Sequence, residues 1–324
     1  MTQIKIGIVG YGNLGRGVEV GLKNHSDMEL VGIFSRRDPK DLDTSAPAYL
    51  LDDILTFKDK IDVLILCGGS KSDIPEQGPA LAEHFNTVDA YDTHALMPKY
   101  FGEMDQVATA NNRVSVIATG WDPGLFSLNR LMQEAILPTG ETYTFWGRGL
   151  SQGHSDAVRR VEGIKKAVQY TVPDEQLIQA IQAGEKVEYN QKDAHAREVY
   201  AVLEEDADPE LVETTILEMP DYFKGYQTSV HFISDAEFDE KHQGMGHGGR
   251  VIRQGLTSDE TISTIEFALN LDSNPEFTAA VNIVYARAAY KLAEAKQYGA
   301  KTVFDIPPIY LSTKSRDEVI KNLL

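Results

Sequence analysis

The run Ile4-Lys5-Ile6-Gly7-Ile8-Val9, followed at once by Gly10-Tyr11-Gly12-Asn13-Leu14-Gly15, restricts the start of this chain to a strand, a tight turn and a helix that grip a pyrophosphate. A continuous apolar run suits a parallel strand buried on both faces. The three glycines then do different things. Gly10 permits the turn, Gly12 lets backbone approach the ligand, and Gly15 lets the helix lie close to the strand. The phosphates would rest on N–H groups at the helix N-terminus, where the dipole favours negative charge. Three glycines alone are weak evidence, but a strand before them and a helix after them supply the context the motif needs.

A second apolar run, Met28-Glu29-Leu30-Val31-Gly32-Ile33-Phe34, ends about 20 residues past the last glycine, where an NAD site places an acidic residue for the ribose hydroxyls. Ser35, Arg36 and Arg37 stand there instead. A hydroxyl and two guanidinium forks suit a 2′-phosphate, so NADP is expected over NAD. Two other uses fit the same segment: the arginines as solvated surface charge, and Asp38 reaching the ribose.

At 324 residues the chain suits two domains with ample buried cores. Its net charge, 31 − 49 = −18, repels nucleic acid and anionic membranes, so neither is expected as a partner. The single cysteine, Cys67, excludes an intramolecular disulfide and fits a reducing compartment. The first strand has no charged-then-apolar leader before it, and no apolar run approaches the ~20 residues of a membrane span. A cytoplasmic location is expected.

Further strands are predicted at Asp62-Val63-Leu64-Ile65-Leu66-Cys67, closed by Gly68-Gly69-Ser70, at Thr87-Val88-Asp89-Ala90-Tyr91-Asp92, and at Val114-Ser115-Val116-Ile117-Ala118-Thr119. Strands alternating with helices imply an α/β domain of Rossmann type, a doubly wound parallel sheet with right-handed crossovers. Ligands gather at the carboxyl ends of such strands, so the residues just past each run carry most functional weight. Asp122-Pro123 reads as a helix start, with Asp as cap and Pro at the first helical position. Beyond Gly140, alternating segments rich in β-branched and aromatic residues, Glu141-Thr142-Tyr143-Thr144-Phe145-Trp146 and Thr228-Ser229-Val230-His231-Phe232-Ile233, predict a mixed α+β domain with an antiparallel sheet. One face of that sheet is available to a partner subunit. The expected division is residues 1–122 for the dinucleotide, 123–272 for substrate and dimerisation, and 273–324 as a helix and tail returning to the first domain.

Asp92 and Asp122 follow predicted buried strands at the edge where a nicotinamide would project, and two carboxylates there can hold an ammonium group or accept its protons. Asp122 equally fits a helix cap, and Asp92 a turn. His94 lies in the same loop as Asp92 and suits proton shuttling or plain surface exposure. Trp121 and Trp146 read as strand-end aromatics that either wall a substrate or fill a core. The segment Ser151-Gln152-Gly153-His154-Ser155-Asp156 precedes a basic helix, Val158-Arg159-Arg160, and lacks the Gly-x-Ser-x-Gly elbow of a hydrolase, so a polar substrate clamp is the better reading. Arg197, His247 and Asn274 are polar groups in turn or strand-edge settings, open to a ligand or to pairing with surface carboxylates. Ligands at zinc spacing are not seen around His247, so no metal is expected.

Taken in order, Gly10-Tyr11-Gly12-Asn13-Leu14-Gly15, Ser35-Arg36-Arg37, Tyr91-Asp92-Thr93-His94, Thr119-Gly120-Trp121-Asp122-Pro123-Gly124, Ser151-Gln152-Gly153-His154-Ser155-Asp156 and Met219-Pro220-Asp221-Tyr222-Phe223 closely resemble the meso-diaminopimelate D-dehydrogenases. The likeness runs from near residue 4 to about residue 290. It implies NADP-dependent oxidative deamination at the D-centre of meso-2,6-diaminopimelate to L-2-amino-6-oxopimelate and ammonia, reversible as a reductive amination feeding lysine and peptidoglycan synthesis, in a homodimer. By that resemblance Gly10, Tyr11, Gly12, Asn13, Leu14 and Gly15, then Ser35, Arg36 and Arg37, then Cys67, Gly68, Gly69 and Ser70, then Ala90, Tyr91 and Asp92, and finally Thr119, Gly120, Trp121, Asp122 and Pro123 line the cofactor. Asp92, Asp122, Trp121, Trp146, Gln152 and Gly153 surround the reacting end of the substrate, while Thr171, Arg197, His247 and Asn274 hold its distal L-amino-acid end. The pattern departs at Arg148 and Gly246, where the family is expected to carry proline.

A remote clamp also has an independent rationale. Both ends of this substrate carry a carboxylate and an ammonium, so only anchoring at the far end selects one stereocentre. Two rival functions fit the same sequence less well. One is an NADP-linked reductase of a sugar or cyclic imine, disfavoured because Met97-Pro98-Lys99 reverses the Lys-Pro order of sugar-acting relatives. The other is a non-enzymatic NADP-sensing module, which leaves the polar clamp without a use.

Overall fold

The computed structural model describes residues 3–324 except 191 and 221, together with the backbone but not the side chain of Gln152. Asp221 of the Met219-Pro220-Asp221-Tyr222-Phe223 motif therefore lies outside the described residues. The chain forms two compact units, one running to Leu128 and resuming at Pro275, the other Asn129–Asn274.

The first unit opens with β1 (Ile4–Val9), α1 (Asn13–Leu22), β2 (Met28–Ser35), β3 (Ala48–Leu50), β4 (Val63–Leu66), α2 (Ile74–Ala82), β5 (Asn86–Asp89), α3 (Met97–Ala110) and β6 (Val114–Val116), before α4 (Leu125–Ile136). The second contains β7 (Gly140–Trp146), β8 (Gly149–Leu150), α5 (Gln152–Arg159), β9 (Ile164–Pro173), α6 (Glu175–Gln182), β10 (His195–Leu203), α7 (Pro209–Leu217), β11 (Thr228–Phe232), α8 (Asp235–Lys241), β12 (His247–Leu256) and β13 (Ile262–Leu271). The long α9 (Asn274–Glu294) and short β14 (Gly299–Lys301) return to the first unit.

All strands of the first unit join one parallel sheet in the order β14-β6-β5-β4-β1-β2-β3. The central strands β1, β2 and β4 are largely apolar, as a parallel sheet covered on both faces requires, while β5 and β6 bury the polar Asn86, Thr87, Asp89 and Ser115. Ile6, Ile8, Ile33, Ile65 and Val88 bury against α1 and α9 through Val18, Ile283 and Ala286. Val9, Phe34, Leu64 and Leu66 form a second cluster with Phe57, Leu81 and Phe85. The expected Rossmann-type architecture is thus present, and parallel pairing brings every strand's carboxyl end to one edge.

The second unit holds a mixed sheet, β11-β10-β9-β8, and an antiparallel sheet, β13-β12-β7. α6 and α7 begin where Asp174 and Asp208 accept hydrogen bonds from first-turn N–H groups. Among the described residues, no helix is long and apolar enough to cross a membrane.

Several local expectations are corrected. The helix expected at Asp122-Pro123 begins at Leu125, because a turn comes first: the Gly120 N–H bonds Pro123 O (3.0 Å) and the Phe126 N–H bonds Trp121 O (2.8 Å). Asp122 and Pro123 occupy that turn, joined by a cis peptide bond. β5 ends at Asp89 and β6 at Val116, earlier than expected, since the Asp89 carboxylate captures the N–H groups of Tyr91 and Ala118. The polar segment expected to precede a basic helix is itself helical from Gln152, as α5. Arg197 lies inside β10, not at a strand edge, because tertiary pairing with β9 and β11 extends the strand on both sides of it.

Candidate active site

The pyrophosphate turn carries out the division of labour expected of its glycines. A Cβ on Gly15 would meet Gly10 O at 2.2 Å, whereas one on Gly12 would meet nothing within 4 Å. Gly15 therefore seals the helix onto the turn, and Gly12 faces open space where a ligand can come close to backbone. No side chain caps α1 and no acidic residue occupies its first turn, so the helix dipole is left to an external anion.

A cavity of about 550 Å³ opens beside this turn, lined by Gly10, Tyr11, Gly12, Asn13, Ser35, Arg36, Arg37, Cys67, Gly68 and Gly69. Arg16, Asp73 and Gln77 also line it, and none of them was singled out in the sequence. The two expected phosphate ligands differ. Arg36 is 70% exposed and pairs with Asp73 at 2.9 Å, while Arg37 donates from Nη2 to the carbonyl of Tyr11. The Ser35 hydroxyl accepts from the Arg37 N–H at 3.1 Å, holding the loop. Asp38 caps a short helical turn by accepting from the Lys40 N–H, which ties its carboxylate down locally. The Tyr11 hydroxyl donates to the buried Glu19 carboxylate, which also accepts from Thr44 at 2.7 Å, so the turn and the 2′-side loop share one network. Leu14 and Gly15 lie in α1 behind the turn, outside the cavity lining. Burial pushes the Cys67 thiol up, so it is a buried apolar wall with no thiolate character. The residues present fit a dinucleotide with a 2′-phosphate.

The other strand ends carry the remaining expected residues, outside that cavity. Asp92 and His94 are exposed, and the Asp92 N–H donates to Ser70 Oγ at 2.9 Å, tying the loop after β4 to the loop after β5. Tyr91 is buried against Tyr100, with ring centroids 4.2 Å apart. The Thr119 hydroxyl donates to Asp89 O (3.0 Å), and the Asn282 side chain on α9 donates to Thr119 O (3.1 Å). Trp121 is buried edge-on against Phe126, with Gly120 on one side and Asp122 half-buried on the other. Ala90 and Pro123 contribute backbone to these two loops. Asp89, which the sequence offered only as a strand residue, is fully buried, and burial pushes its carboxyl up to about 6.

The second unit gathers a separate group. Antiparallel pairing places Thr171 opposite Arg197 and also opposite Gly149. A Cβ on Gly149 would lie 2.3 Å from the His247 ring, so that glycine is what lets the imidazole rest on β8. Trp146 ends β7, half-buried, and its main-chain N–H donates to His195 Nε2 at 3.0 Å. The Asn274 N–H donates to Met245 O at 2.9 Å, which sets Asn274 beside the segment leading into His247. Gly153 lies in the first turn of α5, and the side chain of the expected Gln152 is outside the described residues.

Arg197 is the charged centre of this group. It is 9% exposed, its guanidinium carbon lies 3.7 Å from the Tyr226 ring centroid, and Nη1 has no hydrogen-bond partner among the described residues. A buried cation with an unmet donor is costly without an anion to receive it. His154 responds to that charge: burial, then Arg197, pushes its pKa down to about 4. Its Nδ1 lies 2.6 Å from Ser151 Oγ, but Asp156 pairs with Arg159, so the three residues do not form a hydrolytic triad. Arg148 reaches Glu198 and lies over the Tyr170 ring, which makes it an exposed strut.

Comparison with known proteins identifies the family. Residues 120–273 match the family model described as the diaminopimelic acid dehydrogenase C-terminal domain. Meso-diaminopimelate D-dehydrogenases of Ureibacillus thermosphaericus and Lysinibacillus sphaericus are 54% and 55% identical, each aligned over 100% of both chains. The C. glutamicum DAP dehydrogenase solved in complex with DAP superposes with a TM-score of 0.92 at 46% identity, covering 100% of both chains. An engineered D-amino acid dehydrogenase bound to NADP+ gives 0.87 at 44% identity, also covering 100% of both. The chain belongs to the meso-diaminopimelate D-dehydrogenase family.

Proposed function

We propose that this protein is an amino-acid dehydrogenase that oxidatively deaminates the D-centre of meso-2,6-diaminopimelate with NADP, giving L-2-amino-6-oxopimelate and ammonia, and runs the reverse reductive amination. Full-length likeness to enzymes of that name supports the reaction. The observation that carries the substrate reading is the buried guanidinium of Arg197 with its unmet Nη1 donor. A carboxylate there would take a charge-assisted hydrogen bond in a dry setting.

In this reading Arg197, Thr171, His247 and Asn274 hold the distal L-amino acid, which fixes the stereocentre presented for reaction. The turn at Gly12, with Ser35, Arg36 and Arg37, holds the cofactor, which supplies the hydride acceptor when bound. Asp92 and Asp122 bind the reacting ammonium and offer carboxylate oxygens, directly or through water, to receive the proton it must give up, since an amine must be neutral before its Cα–H bond can deliver hydride. The substrate imine then takes up water and releases ammonia, and His94, in the same loop as Asp92, relays protons. Trp146 and Trp121 limit water and position the aliphatic chain. We further infer a cytoplasmic homodimer. The outward-facing β13, which exposes Ile262 (55%), supplies a sheet face suited to a second copy.

Purified protein should reduce NADP with meso-diaminopimelate, release one ammonia per NADPH formed, and ignore the L,L isomer. Equal use of both isomers would refute the distal clamp, and absence of ammonia would refute the reaction.

A further inference from the structure

We propose that Asp89 is a positioning residue for this reaction, its buried side chain locking the loop that carries Asp92 to the loop that carries Trp121 and Asp122. The inference rests on the roles given above to those two loops. β5 and β6 stop pairing as strands at Val88 opposite Val116, and beyond that point one main-chain bond, Thr119 N–H to Asp89 O, joins the two strand ends. The Asp89 side chain adds the other ties. One carboxylate oxygen, Oδ1, accepts from the N–H of Tyr91 (2.9 Å) and the N–H of Ala118 (3.2 Å), while Oδ2 accepts from the Tyr100 hydroxyl (2.8 Å). Its main-chain carbonyl accepts from the Thr119 N–H (2.9 Å) and hydroxyl (3.0 Å). The side chain is fully buried and has no cation beside it among its hydrogen-bond partners, an environment that disfavours a carboxylate unless its donors are fixed.

The grip falls where backbone has to be forced. Ala118 has φ 57, a left-handed conformation that a residue with a Cβ rarely adopts, and Asp89 receives its N–H. That turn redirects the chain from β6 into Thr119-Gly120-Trp121-Asp122. On the other side, the captured amide of Tyr91 immediately precedes Asp92, whose own N–H is held by Ser70. An apolar residue at 89 would fill the space and leave two buried amides and a hydroxyl without acceptors. Asp89 thus acts through backbone, on residues that meet the reacting end of the substrate.

The test compares Asp89→Ala, Asp89→Asn and Tyr100→Phe with the intact enzyme. Asparagine keeps an oxygen for both amides and should restore most of the turnover lost in the alanine variant. Asp89→Ala should lower kcat by about 10- to 100-fold while NADPH affinity stays within about threefold, because the adenosine side of the cofactor site is untouched. Tyr100→Phe should lower kcat severalfold and leave NADPH affinity unchanged, and it keeps the question open to experiment if the alanine variant does not fold. Amide hydrogen exchange should show Tyr91 and Ala118 losing protection in Asp89→Ala while β1 and β4 keep theirs. Wild-type kcat in the alanine variant, no rescue by asparagine, or parallel loss of NADPH binding and turnover would each overturn the proposal. If the intact protein fails to deaminate meso-diaminopimelate, the functional reading falls, and the exchange measurement still decides whether Asp89 joins the two loops.

Discussion

The Arg197 guanidinium carbon lies 3.7 Å from the centre of the Tyr226 ring, and the register of β9 and β10 sets Thr171 directly opposite Arg197. Ring stacking and burial hold the cation in place without a carboxylate among its described partners, so its charge is available to a ligand. Arg197→Met keeps the aliphatic bulk and removes the charge. The expected outcome is a fall in kcat/KM for meso-diaminopimelate of about 100-fold, the weight of a charge-assisted pair. NADPH affinity, read by fluorescence titration, should not change. A comparable fall in both would assign Arg197 to the fold.

Arg36 and Arg37 should separate in mutagenesis although they are adjacent. Arg36 is exposed and, among the described residues, pairs with Asp73, so it can turn to a 2′-phosphate, whereas Arg37 is engaged with the Tyr11 carbonyl at the glycine turn. Arg36→Ala should lower kcat/KM for NADP by about tenfold or more and leave that for NAD nearly unchanged. Arg37→Ala should weaken both cofactors, because it loosens the turn they share. Steady-state kinetics with each cofactor distinguishes these outcomes.

The sequence was legible where local pattern decides structure. β1, β2 and β4 are continuous apolar runs, and the glycine turn has one mechanical solution. Three kinds of feature were not legible. β3 and β14 are three-residue strands that exist only because neighbours pair with them. α5 is hidden because Gly153, Ser155 and Asp156 are weak helix formers, overridden by packing on β9 through the Ser155 hydroxyl, which accepts the Gln169 N–H. The ends of β5 and β6 depend on a side chain, Asp89, taking amides that pattern assigns to a ladder. For the site, residue types at strand ends were readable. That Thr171 faces Arg197 and that Gly149 seats His247 are facts of register and close approach, which a linear pattern does not encode.

Acid stability should depend on the ion pair that anchors α9. Arg287 is 2% exposed and donates to both carboxylate oxygens of Asp27, at 2.6 and 2.9 Å. These hydrogen bonds hold the Asp27 pKa below its ordinary value. A depressed carboxylate pKa contributes stability that is complete above about 3.9, the unfolded value, and is lost as pH falls through the folded value. Asp27→Asn should remove that acid-induced loss. It should also lower stability at neutral pH by roughly 3 kcal/mol, because Arg287 is left buried without its anion. Thermal midpoints measured from pH 7 down to about pH 2 test both effects.

His154 offers a readout of the clamp that needs no substrate. Burial, and secondarily the charge of Arg197, pushes its pKa from 6.5 down to about 4, so the ring is neutral when the enzyme works. The sign follows from proton uptake: the unfolded chain protonates this histidine near pH 6.5 and the folded chain resists until about 4, so its stabilising contribution is complete above 6.5 and disappears as pH drops through that interval. Removing Arg197 deletes the secondary cause and leaves burial in place. In Arg197→Met the His154 titration, followed by its imidazole resonances, should therefore move upward while remaining below 6.5. An unmoved titration would mean that the guanidinium charge is not felt at His154, and the view of Arg197 as a buried, unneutralised cation would then fail.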